Sequence, residues 1–129
     1  MPPTVLIFST RKADLSPEEF KDYYENNHIP LVKRLTGDQF PKSNTRHYIT
    51  SGAAAQPAFI VGQPSDLSWD SVTVLNFADD EHFNKCMAVY QEEETQKQFA
   101  ADEEKFLDRA SLKIVIPGDV RQSINEALQ

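Results

Sequence analysis

The chain has 129 residues, 40% hydrophobic and 10% aromatic, enough to bury the core of a single domain. Thirteen basic residues against twenty acidic ones give a formal charge of −7, which speaks against nucleic acid and anionic membranes as partners, because both attract positive charge. One cysteine, Cys86, excludes an internal disulfide and fits a reducing, cytoplasmic compartment, while no run of about 18 apolar residues offers a membrane span and Met1-Pro2-Pro3-Thr4-Val5 lacks the basic-then-apolar pattern of a signal peptide.

Val5-Leu6-Ile7-Phe8-Ser9 reads as the first strand, apolar and without alternation, which predicts cover on both faces. Residues 16–35 read as the first helix. Ser16 supplies the N-cap, Pro17 fits the first helical position, and Glu19 completes a capping box. Phe20, Tyr23, Tyr24 and the Asn27-His28 pair share one face at three- and four-residue spacing. Pro30 cannot be continued smoothly, so a kink is expected near His28. A histidine on an apolar helix face at a disturbed turn makes His28 the first candidate site residue.

Thr36-Gly37-Asp38 ends that helix. Arg46-His47-Tyr48-Ile49-Thr50 reads as a strand, with His47 and Ile49 on one side and Arg46, Tyr48 and Thr50 on the other. Residues 51–68 form a long connection carrying Gly52, Pro57, Gly62 and Pro64 with an apolar patch at Ala58-Phe59-Ile60-Val61; a loop of this length suggests a lid or binding loop. Trp69 to Phe77 is the third strand. Asp79 caps a second helix whose apolar face holds Phe83, Met87 and Tyr90. The acidic run 91–97 is a solvated surface, and Phe99, Ala100, Glu103, Phe106 and Leu107 continue helical spacing in a shorter helix. Residues 111–117 form the last strand, followed by a polar tail over 119–129.

The order β-α-β-β-α-β is the ferredoxin-like pattern: an α+β fold with an antiparallel four-stranded sheet and helices on one face, here as one domain over 1–129 with its core at about 4–118. An apolar uncovered sheet face predicts a homodimer with sheets face to face. No phosphate loop or dinucleotide fingerprint occurs. The three histidines, His28, His47 and His82, have no metal-ligand spacing, so neither a metal nor another cofactor is expected. Cys86, four residues after His82, is read as a small core residue rather than a nucleophile.

The set Ser16-x-x-Glu19-Phe20-x-x-Tyr23-Tyr24-x-x-x-His28-x-Pro30-Leu31, with Trp69-Asp70-Ser71, Asp79-x-x-x-Phe83 and Asp102-Glu103-x-x-Phe106-Leu107-Asp108, resembles the EthD-type branch of the dimeric α/β-barrel superfamily over roughly residues 4–118. Within it the chain looks most like small fungal proteins of aromatic polyketide clusters, including decarboxylases of anthraquinone-type carboxylic acids. The resemblance implies a homodimer, a cavity between sheet and helices, and cofactor-free chemistry on a polycyclic phenolic substrate. His28 matches the family's recurrent histidine, and Tyr23 and Tyr24 match the aromatics before it.

With a cavity between helix 1 and the sheet, His28 and His47 form an expected acid/base pair, since imidazole is the side chain best suited to exchange protons under physiological conditions. Tyr24 or Tyr48 holds a ketone or phenol oxygen, and Phe59, Trp69 and Phe83 are candidates for stacking on flat rings. Decarboxylation of a β-keto acid and dehydration of a β-hydroxy ketone need similar parts and stay unseparated. A cofactor-free oxygenase of anthrone-like substrates and a non-catalytic binding or stress-response protein are the alternatives.

Overall fold

In the computed structural model, which describes residues 3–50 and 56–129, four strands form one antiparallel sheet in the order β2-β3-β1-β4. They are β1 (Thr4–Ser9), β2 (Ser43–Tyr48), β3 (Ser71–Asn76) and β4 (Lys113–Val115). Strand β1 pairs with β3 from Thr4 opposite Asn76 to Ser9 opposite Ser71, and β2 pairs with β3 from Ser43 opposite Asn76 to Tyr48 opposite Ser71. Helices α1 (Pro17–Tyr23) and α2 (Ile29–Thr36) follow β1, and α3 (Asp80–Gln91) and α4 (Glu93–Glu103) follow β3. This is the ferredoxin-like α+β arrangement, each half a β-α-β unit whose strands are separated by one from the other half.

Period-two alternation decides which side chains meet the helices. Val5, Ser9, Ser71, Thr73 and Leu75 are buried on the helical side. Leu6, Phe8, Val72, Val74 and Val115 alternate with them on the other face, which this chain leaves uncovered. The unalternating strand β1 is therefore apolar on both faces but covered by its own chain on only one.

Two aromatic and aliphatic clusters fill the covered side. Phe20, Tyr24, Ile29, Phe106 and Leu107 form one; Val5, Leu75, Phe77 and Cys86 form the other. Phe106, fully buried, contacts Tyr23, His28, Tyr24 and Phe20 at ring separations of 5.0, 5.0, 5.3 and 5.8 Å. It lies just past α4 rather than in it: the helix ends at Glu103, and Leu107 then pairs with Arg11. The second strand begins earlier than the aromatic run suggests, at Ser43, and Ile49 has already left it. Of the long connection, residues 51–55, including Ala53-Ala54-Ala55, lie outside the described residues.

Helix α1 starts as its sequence predicts. The Ser16 hydroxyl accepts from the Glu19 N–H at 3.1 Å, and the Glu19 carboxylate accepts from the Ser16 N–H at 2.9 Å. Replacing Ser16 by alanine breaks this reciprocal cap and is expected to lower stability by about 1 kcal/mol. Urea denaturation should then show a lower midpoint at unchanged slope.

Candidate active site

Between α1 and α2 the helix widens into a π-turn over Tyr24–His28, and the Ile29 N–H reaches back five residues to the Tyr24 carbonyl. Pro30 explains it. It has no N–H to give to residue 26, and its ring would strike that carbonyl in a regular α-helix; one extra residue in the turn opens the space. In a regular α-helix, residues five apart stand about 140° from each other around the axis. The wider turn brings Tyr23 and His28 to a common partner.

That partner is Asp102, on the last turn of α4. Its Oδ1 accepts from the Tyr23 hydroxyl at 2.6 Å, and its Oδ2 lies 2.7 Å from His28 Nδ1. The His28 and Asp102 side chains are only 14% and 11% exposed. A carboxylate accepts only, so Nδ1 carries the proton in this pair and Nε2 is left as the unprotonated nitrogen. Burial pulls the His28 pKa below the ordinary 6.5, against the opposing pull of Asp102. Neutral imidazole, ready to accept a proton, is thus the resting form. Burial, helped by Asp102, pushes the Tyr23 hydroxyl up to about 12.

His28 forms part of the wall of a cavity of about 450 Å³ between the sheet and the helices, lined largely by apolar groups such as Ile7, Leu75, Met87, Phe99 and Phe106. Tyr24 lines it as well. Its hydroxyl lies 2.9 Å from Thr73 Oγ1 on β3, and its ring meets His28 edge-on at 5.4 Å. Burial raises the Tyr24 pKa, so its hydroxyl stays protonated and a donor. The mostly apolar wall strengthens any charge interaction inside it.

The other expected site residues do not reach this cavity. His47 is exposed on the uncovered face of β2; the alternation was legible, but Arg46 and Tyr48 take the helical side because Glu25 binds both. The expected His28–His47 pair is therefore replaced by His28–Asp102. Tyr48 packs between Phe20 and Tyr24 and donates to Glu25 at 2.5 Å. Trp69 lies 4.9 Å from Phe8, which points to the uncovered face. Phe83 packs on Phe77 at 5.2 Å, and Phe59 sits in the connection 56–70, away from the cavity lining. His82 is structural: Nδ1 accepts from the Ala78 N–H and Nε2 donates to the Phe40 carbonyl at 3.0 Å. Cys86 is fully buried, and desolvation pushes its thiol up to about 11, unsuited to nucleophilic work. Among the described residues no cluster of histidine, cysteine and carboxylate side chains could hold a metal.

Asp102 was the residue that sequence reasoning missed. A signal was present: Thr95, Phe99 and Asp102 fall at helical spacing and are the buried residues of α4. An acid on a buried stripe needs a partner.

No curated protein matches the chain. Among solved structures, an EthD (ethyl tert-butyl ether D) family protein from Bacillus halodurans C-125 aligns at 18% identity with a TM-score of 0.55, covering 92% of this chain and 99% of its own. The Arabidopsis thaliana protein At3g17210 aligns at 13% identity with a TM-score of 0.56, covering 95% of this chain and 100% of its own. At these identities the likeness is one of fold. The EthD domain model matches residues 12–110, three quarters of the length, and the chain belongs to the EthD domain family.

Proposed function

We propose that the protein is a cofactor-free lyase that decarboxylates or dehydrates an aromatic polyketide, with His28 as general base and acid. The observation carrying this is the buried His28–Asp102 pair, oriented by hydrogen bonds, at the wall of an apolar cavity sized for a small polycycle. Nε2 takes the proton of a bound β-keto acid, and Asp102 balances the imidazolium that forms. The bond to the carboxyl carbon breaks, CO₂ leaves, and the electron pair passes to the ketone oxygen as an enolate. Nε2–H then returns its proton to the α-carbon. In a dehydration the same nitrogen takes the α-proton and delivers it to the departing hydroxide. In this reading the Tyr24 hydroxyl, which now meets Thr73 Oγ1, turns to donate to the substrate oxygen on which charge develops, and Tyr23 acts by holding Asp102.

The uncovered face supports a homodimer. Leu6, Phe8, Val72, Val74 and Val115 give it an apolar stretch across β3, β1 and β4, and face-to-face packing of two sheets would remove that surface from water. Light scattering is expected to give twice the chain mass, and Val74→Lys should give a monomer. A monomeric parent protein would sink this assembly.

Incubation with polycyclic β-keto acids and β-hydroxy ketones, followed by mass analysis, should show loss of CO₂ or of water without oxygen consumption. His28→Ala should lower kcat about 10²-fold or more while remaining folded. Oxygen uptake during turnover would favour the anthrone-type oxygenase, and ligand returned unchanged a binding protein.

A pH dependence follows from the depressed His28 pKa. Between the folded pKa and 6.5 the unfolded chain binds more protons, so stability is full above about 6.5 and is lost as pH falls below it. Urea denaturation across pH 5–8 should show this slope, flattened in His28→Gln. In Asp102→Asn the group that raises the His28 pKa is gone, and NMR titration should place that pKa lower than in the parent protein.

A further inference from the structure

Tyr90 stands at the corner where α3 gives way to α4. Glu92 is extended between the two helices, and the Tyr90 ring packs on Phe99 of α4 at 5.1 Å. Phe99 in turn lies 6.2 Å from the His28 ring, so one aromatic side chain touches both residues. Tyr90 lines the His28 cavity beside Met87, one turn back on α3.

The polar groups around this cavity differ in what they have left to offer a ligand. The Tyr24 hydroxyl meets Thr73 Oγ1 at 2.9 Å. Nδ1 of His28 meets Asp102, which leaves Nε2 for proton transfer. Glu103 and Arg109 are paired with each other. Ser9 Oγ is sealed in the sheet layer, out of a ligand's reach. The Tyr90 hydroxyl is different. It has no hydrogen-bond partner among the described residues, yet it is not sealed off as Ser9 Oγ and Ser71 Oγ are. A tyrosine that buries its ring ordinarily gives its hydroxyl a partner, so an open, unpaired one on a cavity wall calls for an explanation. Burial raises its pKa, and Cys86, Tyr24 and Glu103 nearby raise it further. The hydroxyl therefore keeps its proton and remains a donor.

We propose that Tyr90 is a substrate-binding residue whose hydroxyl donates to a ring carbonyl oxygen of the flat ligand and so fixes how that ligand lies against His28. This rests on the reading of the cavity as the site of an aromatic ligand. Tyr90 meets the ligand in the resting cavity without giving up a hydrogen bond, whereas Tyr24 must first leave Thr73. Because Phe99 ties Tyr90 and His28 to one wall, a ligand oxygen held by Tyr90 restricts where the reacting carbon sits relative to Nε2. The cavity then selects polycyclic ketones over hydrocarbons of the same shape.

The test is binding of α-tetralone and of tetralin, two-ring probes of one shape that differ by the carbonyl oxygen, to the full chain and to Tyr90→Phe, followed by NMR shift titration. Tyr90→Phe keeps the ring on Phe99 and removes only an unpartnered hydroxyl, so the variant should fold; circular dichroism checks this. The parent protein should prefer the ketone. Tyr90→Phe should weaken tetralone binding about three- to tenfold while changing tetralin binding less than about twofold. The infrared carbonyl stretch of bound tetralone gives a second reading. In the parent protein it should lie at the lower frequency of a hydrogen-bonded ketone, and in Tyr90→Phe it should move toward the value in an alkane solvent. An unchanged ketone-to-hydrocarbon ratio in Tyr90→Phe overturns the role of Tyr90 while leaving the aromatic cavity standing. So does a bound carbonyl in the parent protein that already shows the alkane frequency, and that reading needs no variant. Failure of both probes to bind the parent protein defeats the cavity reading, and the role of Tyr90 with it.

Discussion

A single carboxylate, Asp102, ties the helical layer together at the place where chemistry is possible. It accepts from Tyr23 on one oxygen and meets His28 on the other, so it joins the end of α4 to both sides of the π-turn. A buried carboxylate without such partners would cost several kcal/mol of desolvation. Two hydrogen bonds offset that cost here, and in doing so they settle the orientation and the tautomer of the imidazole. Phe106 packs against the rings of Tyr23 and His28 from the next turn of chain, which helps bury the pair.

The π-turn is the backbone counterpart of this arrangement. Pro30 disturbs the helix, and the disturbance is absorbed by one wide turn instead of a break. Because the chain continues as helix on both sides, the wide turn is held rigidly. Its effect is to change which side chains share a face. Tyr24 and His28 remain in edge-on contact, and Tyr23 and His28 come together on Asp102. A residue that looks merely helix-breaking therefore contributes to the geometry of the site.

Polar groups in the cavity lining are few: Ser9, Tyr24, His28, Tyr90, Gln96, Glu103 and Arg109 stand among a larger number of apolar side chains. Such a distribution suits a ligand with a broad apolar body and a small number of oxygen functions. On the exposed face of the sheet, Thr4, Asn76 and Ser43 are hydrogen-bonded to one another at one end, and His47 stands opposite Val72, on the other side of the sheet from the cavity.

Much of this molecule was legible from local rules. The capping box at Ser16 and Glu19, the kink signal at Pro30, the Asp79 cap and the β-α-β-β-α-β order all follow from short-range sequence, because helix caps, proline sterics and alternation act over a few residues. The prominence of His28 was equally local, and family membership followed from the pattern around it. What tertiary structure alone decided was which side of each strand met the helices and which residue completed the site. Alternation separates His47 from Tyr48 but cannot say which faces inward; that depended on Glu25, 21 residues away, binding Arg46. The partner of His28 lies 74 residues further along the chain, and no local propensity links the two. They meet because two separate helices pack on one sheet, and because a buried acid and a buried imidazole are each unfavourable without the other.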